Sequence, residues 1–407
     1  MVAVAPKPEV AVVSPFLDKR HGTERRVVEW ISRLADSFEI HLYSQRVEDV
    51  DLSTVTWHRI PKLPGPHLLN FLWWFAANHV WRFWDRRVRG HRHALVFTPG
   101  TNCLDADVVS VHIVFAEFYR RVRPQLDLAH NPVRFWPRLI HRRLYYRLIV
   151  FLEGRIYTGQ RPALVYVSRR TAESVARFYG KRSDCHILYA GIDQDLFNPA
   201  RRAAMREEAR KSVGLDDHKF AVLLIGNDWH NKGIRVLMGA LALLPDLPIH
   251  LLVAGSDNPD PFRAMALEKE VGARVHFLPH RPDVLFYYAA ADAYAGPSFE
   301  DAFAMPPAEA MACGLPVIVS SANGTSEIIT DGVDGLILGD PSDSRSLAAM
   351  IRRLFEDAEF RGSLSTRAAE TASHFTWERN GRELTAIFEE ILRRKASLPA
   401  QRMVREP

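Results

Sequence analysis

Asp301 and Glu309 flank a turn that runs into a helix, in the order Asp-x7-Glu. The helix is expected from Met305 to Cys313: Pro306 and Pro307 suit a first helical turn and Gly314 suits the stop. Ahead of it, Tyr294-Ala295-Gly296-Pro297-Ser298 reads as the end of a strand, with Asp301 in the loop between. Backbone N–H groups of residues 302–305, Phe303, Ala304 and Met305 among them, are expected to stand free at the helix start and to attract an anion. Two carboxylates bordering that pocket could accept paired hydrogen bonds from a ribose or hexose diol. The same acids could instead only stabilise the helix start.

The chain alternates short β-rich runs with helical patterns, the signature of parallel α/β sheets. In the first half, strands are expected near residues 10–13, 40–43, 55–60, 95–97, 108–111, 164–167 and 185–188. Helices are expected over 24–35 and over 171–179, the latter capped by Ser168. The second half restarts the pattern at 220–225, 250–253, 275–278, 293–295, 316–319 and 336–338. Domains are therefore expected at 1–198 and 218–372, joined by a linker at 199–217 with a short helix. A terminal helical segment, 373–407, is expected to cross back to the first domain. Ligands of such sheets sit at the carboxyl ends of the strands.

At 407 residues, with 47 % hydrophobic and 25 % charged residues, the chain suits two globular domains. The net charge of +5 suits an anionic ligand or an acidic membrane surface. Three scattered cysteines, Cys103, Cys185 and Cys313, lack the spacing of a disulfide framework or a zinc site. The N-terminus lacks a secretory pattern and no run is long enough to span a bilayer, so a cytoplasmic location is expected. Residues 119–155 hold nine arginines against two acids, interleaved with aromatics, and 67–93 are rich in Trp and Arg. Two readings stay open there: aromatic faces turned to the core, or a basic-aromatic surface lying on the inner face of an anionic membrane.

The run from Pro297 through Glu309 and Met311-Ala312-Cys313-Gly314 to Ile318 resembles the donor-binding signature of family-4 retaining glycosyltransferases of GT-B fold. That resemblance implies two Rossmann-like domains, with parallel sheets, facing a central cleft. Asp301 takes the place of the first acid of the family's Glu-x7-Glu pair and would contact the transferred sugar, with the amides of Phe303, Ala304 and Met305 nearby. Glu309 would hold the ribose hydroxyls, and Glu327 and Gly335 fit the continuation. Lys232-Gly233 matches a Lys-Gly pair whose lysine binds the donor diphosphate, whereas Asn227 stands where the family has Arg. The His21-Gly22-Thr23-Glu24 run is similar to the family's glycine loop, with Gly22 letting the backbone approach the phosphates and Thr23 as a helix cap. His112 would meet the reacting sugar from the acceptor side; a purely structural histidine is the other reading. Residues 189–193 are similar to the family's Asn-Gly-Val-Asp segment, with Ala190 in place of Asn.

The implied activity is metal-independent transfer of a hexosyl group from a UDP- or GDP-sugar to a saccharide or lipid-linked acceptor in cell-envelope or polysaccharide synthesis. His112, Asp301 and Lys232 are the candidate catalytic residues. No cofactor, metal or nucleic-acid partner is expected. Asp105-Ala106-Asp107 has the form of a metal-binding Asp-x-Asp but lies far along the chain from the donor signature. No Gly-x-Gly-x-x-Gly opens a helix after a strand, which leaves a nicotinamide dehydrogenase without a site. A degenerate nucleotide-sugar- or lipid-binding scaffold is the non-enzymatic alternative.

Overall fold

The computed structural model describes residues 6–19 and 22–397. These fall into two compact units that divide at Tyr189/Ala190 and again at Thr376/Trp377.

Apolar β-branched runs give the first unit its strands: β1 (Glu9–Val13), β2 (Phe16–Leu17), β3 (Glu39–Ser44), β4 (Arg46–Val47), β5 (Val55–Arg59), β6 (Leu95–Pro99), β7 (Val108–Val111), β8 (Ala163–Tyr166) and β9 (Cys185–Ile187). Seven of them form one sheet in the order β5-β3-β1-β6-β7-β8-β9, and β2 pairs with β4. The pairs are parallel, with Val10 opposite both Ile40 and Leu95. Strands buried on both faces carry continuous apolar runs, as β1 and β7 do here. The intervening helices are α1 (Gly22–Leu34), α2 (His67–Trp84), α3 (Phe115–Val122), α4 (Trp136–Tyr157) and α5 (Arg169–Tyr179). Ser168 caps α5 by accepting the Thr171 amide at 3.1 Å. Gly22 opens α1 and Thr23 is its second residue, so Thr23 lies inside the helix rather than at a cap position.

The second unit holds α6 (Pro199–Ser212), β10 (Phe220–Ile225), α7 (Ile234–Ala242), β11 (Ile249–Ala254), α8 (Asp260–Glu268), β12 (Val275–Leu278), α9 (Leu285–Ala290), β13 (Ala293–Gly296), α10 (Met305–Ala312), β14 (Val317–Ser320), β15 (Leu336–Leu338), α11 (Ser344–Glu356) and α12 (Ala358–Ser373). Its parallel sheet runs β12-β11-β10-β13-β14-β15. The order reverses between β10 and β13, which places the loops after those two strands side by side.

Residues 199–217, where a linker with a short helix is expected, hold the 14-residue helix α6, capped by Asn198. Three arginines at turn spacing clamp it to the second unit: Arg202 donates to the Ala291 carbonyl, and Arg206 and Arg210 reach Asp292. The chain then returns to the first unit through α13 (Trp377–Ser397). The Phe388 ring packs 5.4 Å from Phe97 and 5.7 Å from Phe38, and Asn380 accepts the buried indole N–H of Trp30.

The aromatic-rich helices divide between the two readings left open for them. Trp74 is core, whereas Phe83 and Trp84 are 61 % and 58 % exposed. Leu139 and Ile149 of α4 are buried, but its Phe151 is exposed.

Candidate functional site

In the second unit, the loop after β10 is shaped by three residues with positive φ: Gly226 (140°), Asp228 (57°) and Gly233 (83°). A Cβ on Gly233 would lie 2.3 Å from the Pro297 carbonyl, so only glycine lets this loop touch the one after β13. The two loops are then laced together. The Phe299 amide donates to the Asn231 carbonyl at 2.8 Å, and Asn231 Nδ2 donates to the Glu300 carbonyl at 2.8 Å. Asp257 holds the other flank by accepting the amides of Asp228 and Trp229 at 3.0 and 2.7 Å.

Within this frame the Lys232 stem passes over the α-carbon of Gly226, and Nζ donates to Asp301 Oδ2. Both side chains are about five-sixths buried, at 16 % and 17 % exposure, which strengthens their attraction relative to a surface pair. Asp301 is itself fixed by its backbone: its amide donates to the Ala322 carbonyl and its carbonyl accepts the Gly324 amide.

At the helix start one of the amides expected to stand free, that of Ala304, has a partner. Pro306 and Pro307 carry no N–H, and the Ala304 amide donates to Asn323 Oδ1 at 3.4 Å. Asn323, fully buried, also accepts the Thr325 amide, and the Thr325 hydroxyl donates to the Ala304 carbonyl at 2.7 Å. The Asn323 Nδ2 has no hydrogen-bond partner. Asn323 thus organises the turn, a role the spacing of acids did not reveal; its only sequence signal is an Asn-Gly pair just past a strand.

Glu309 is only 3 % exposed and its Oε2 accepts the Tyr288 hydroxyl at 2.8 Å. Burial, with the nearby Glu309 carboxylate, pushes the Tyr288 hydroxyl well above its usual range, so it stays a donor. The hydroxyl of Tyr294 on β13 is likewise raised, first by burial and then by the carboxylates of Asp301 and Glu309. Both acids of the Asp-x7-Glu pair therefore bear on the titration of one tyrosine. Asn227, at the position where an arginine is usual, uses its Oδ1 to accept the Ser256 amide at 2.9 Å.

Gly22 and His112 belong to the first unit. Gly22 has open space around its α-carbon; His21 lies outside the described residues. His112 follows β7, with Nε2 3.0 Å from the Ser110 hydroxyl and its ring centroid 5.8 Å from that of Trp30. Burial, then the Arg26 charge, holds its pKa well below the usual value, so it is a neutral imidazole at pH 7. The Asp-x-Asp pair is held by cations: Arg82 donates to both oxygens of Asp105 at 2.6 and 2.7 Å, and Lys395 lies 3.0 Å from Asp107. A pocket of about 470 Å³ opens in the same unit, lined by Arg120, Arg123 and Arg143 beside Tyr119 and Phe178.

Comparison with known proteins follows the same geography. Residues 205–371 match the family model of glycosyl transferases group 1. That match lies within the second unit. In sequence, the chain is 31 % identical over 243 residues to D-inositol 3-phosphate glycosyltransferase of Xylanimonas cellulosilytica, covering 57 % of this chain and 58 % of the relative. It is 30 % identical over 220 residues to the Corynebacterium kroppenstedtii protein of the same name, covering 51 % and 48 %. The chain thus spans about half the length of the curated relatives it matches. Among solved structures, WaaG, a glycosyltransferase involved in lipopolysaccharide biosynthesis, superposes with a TM-score of 0.72 at 22 % identity, over 93 % of this chain and 99 % of WaaG. Anabaena HepE in complex with UDP and glucose gives 0.68 at 18 % identity, over 94 % and 100 %. The chain shares the GT-B fold of these structures.

Proposed function

We propose that the chain is a glycosyltransferase that moves a hexosyl group from a UDP- or GDP-sugar to a saccharide or lipid-linked acceptor, with retention at the anomeric carbon. The observation that carries this reading is the pairing of Lys232 with Asp301 at the carboxyl ends of adjacent strands, where the sheet order reverses. Such a position is where open α/β sheets bind ligands. Lys232 would turn from Asp301 to the donor diphosphate and stabilise the departing charge. Asp301 would then be released to accept a sugar hydroxyl, and Glu309 would take the ribose hydroxyls. The bond from the anomeric carbon to the phosphate oxygen breaks as the acceptor oxygen attacks on the same face. The acceptor proton passes to the departing diphosphate. Neutral His112 would meet the sugar as a hydrogen-bonding group rather than as a cation.

The acceptor side is read from the first unit. The Arg120, Arg123 and Arg143 pocket suits an anionic group, in keeping with relatives named for D-inositol 3-phosphate. Among the described residues no helix is long and apolar enough to cross a membrane. Exposed Phe83, Trp84 and Val88 stand among Arg86, Arg87 and Arg89, a composition suited to peripheral contact with an anionic bilayer. The deciding experiment offers UDP- and GDP-sugars with inositol phosphate and lipid-linked saccharide acceptors and measures product. Turnover lost in Lys232→Ala and Glu309→Gln supports the reading; no product with any donor, or undiminished turnover in both variants, removes it.

A further inference from the structure

In the first unit, near the starts of β1 and β3, four imidazoles gather, those of His41, His58, His91 and His93, together with the Tyr43 phenol and the carboxylates of Glu9 and Asp85. Glu9 opens β1, His41 lies on β3, and His93 stands two residues before β6. These strands are neighbours in the order β3-β1-β6 and run parallel, so their starts lie together.

Three polar atoms in this cluster are buried without any hydrogen-bond partner: Glu9 Oε2, His41 Nε2 and His93 Nδ1. One ligand atom from each of Glu9, His41 and His93 lies within 4.8 Å of the other two. His41 is fully buried and the His93 side chain is 8 % exposed. Buried polar atoms are normally satisfied, and three unsatisfied ones facing a common point call for a missing partner. Glu9 Oε2 and His93 Nδ1 are 3.5 Å apart. Two ligands on a tetrahedral zinc ion, with bonds of about 2.0–2.1 Å, stand about 3.4 Å apart.

We propose that Glu9, His41 and His93 form a two-histidine, one-carboxylate site for a divalent transition-metal ion of the zinc type. The hydrogen bonds behind the ligands agree on the tautomers this requires. If His41 ligates through Nε2, its Nδ1 carries the proton and donates to His58 Nε2, 2.9 Å away. His58 then donates from Nδ1 to Asp85 Oδ2 at 2.8 Å. If His93 ligates through Nδ1, its Nε2 donates to the Tyr43 oxygen at 2.9 Å, and the Tyr43 hydroxyl donates to the same Asp85 Oδ2 at 2.8 Å. Both relays end on one buried carboxylate, the arrangement that orients ligating imidazoles and raises their basicity. Glu39 Oε1 is 3.4 Å from His41 Nε2, and His91 Nδ1 is 3.7 Å from Glu9 Oε1; either is near enough to complete the coordination. The mixed nitrogen and oxygen donors favour zinc over magnesium or calcium. The ion would clip the starts of β1 and β3 to the turn before β6, a structural role independent of the proposed transfer site.

The test uses the full chain, stripped with EDTA, reloaded with ZnCl2, desalted and assayed for metal by mass spectrometry, with affinity from a chromophoric chelator competition. One zinc per chain is expected, with Tm raised on loading and with no retention of Mg²⁺. Glu9→Gln and His93→Gln, each checked for folding by circular dichroism, should weaken zinc binding at least 10-fold, and the double variant should retain none. No retained zinc in the wild type overturns the proposal. So does stoichiometric zinc that both variants bind with unchanged affinity, which would assign the metal to other histidines.

Discussion

Lys232 Nζ donates to Asp301 Oδ2, although the two residues lie 69 positions apart on loops that follow different strands. Neither loop alone makes a site. The contact exists because β10 and β13 are neighbours and because Gly233 lets the loops meet at Pro297. In the reading proposed above, the donor diphosphate competes with Asp301 for the lysine. Lys232→Ala is expected to lower kcat/KM for the nucleotide sugar at least ~10-fold, the loss of a charge-assisted contact of about 1.5–3 kcal/mol. Asp301→Asn should lower kcat more than it raises KM. Steady-state kinetics with varied donor checks both.

Glu309 and Tyr288 give a second prediction. Tyr288→Phe leaves the buried Glu309 carboxylate one donor short. A stability loss of about 1–3 kcal/mol is expected from denaturant unfolding. Glu309→Gln, which keeps the shape and an oxygen for the tyrosine, should fold normally and raise the donor KM.

The glycine contacts predict steric lesions. Gly255 has a φ of 158°, and a Cβ there would fall 2.1 Å from the Gly226 carbonyl. Gly233→Ala meets Pro297 in the same way. Each alanine should lower stability by about 1–3 kcal/mol and disturb the Lys232 loop. Gly22→Ala, with open space at its α-carbon, should leave stability unchanged within about 0.5 kcal/mol. Thermal unfolding of the three variants separates these outcomes.

Much of this arrangement was legible in the residues. The runs at 108–111, 220–225, 275–278 and 336–338 form strands with the expected ends, because short, mostly apolar stretches leave little choice in a sheet covered on both faces. The segment 199–217, expected as a linker with a short helix, holds α6, but its composition, rich in Arg, Ala and Glu, fits an exposed connection and a docked helix equally. What decides is that Arg202, Arg206 and Arg210 find carbonyls and Asp292 in α9 and its following turn, a tertiary fact. Asn323 was missed because its work is done through backbone amides, which no side-chain pattern reports. Glu9, His41 and His93 were missed for another reason: more than 30 residues separate each from the next, and only strand order brings them together.

The pair His250–His276 gives a pH prediction. Their ring nitrogens are 2.9 Å apart, and burial, then the neighbouring imidazole, pushes His250 down to about 4. In the unfolded chain it titrates near about 6.5, so the unfolded state binds more protons between those values. The contribution to stability is complete above about pH 6.5 and is lost as pH falls toward 4. Tm measured from pH 7 down to 4.5 should drop, and His250→Gln should flatten the slope.

Surface contact is open to a direct assay. Phe83→Ala with Trp84→Ala should reduce co-sedimentation with phosphatidylglycerol vesicles several-fold, and salt should weaken the wild-type interaction through screening of Arg86, Arg87 and Arg89.

The chain leaves the first unit after Tyr189 and re-enters it at Trp377. Inside the second unit, these exits are stitched by the Ile192 amide on the Phe375 carbonyl at 2.7 Å. In genetic terms the second unit is a single cassette inserted into the first. Residues 190–376 can be cloned as one uninterrupted fragment, whereas a stop codon after 189 would strip the first unit of α13 and expose the faces of Trp30, Phe38 and Phe97 that it covers.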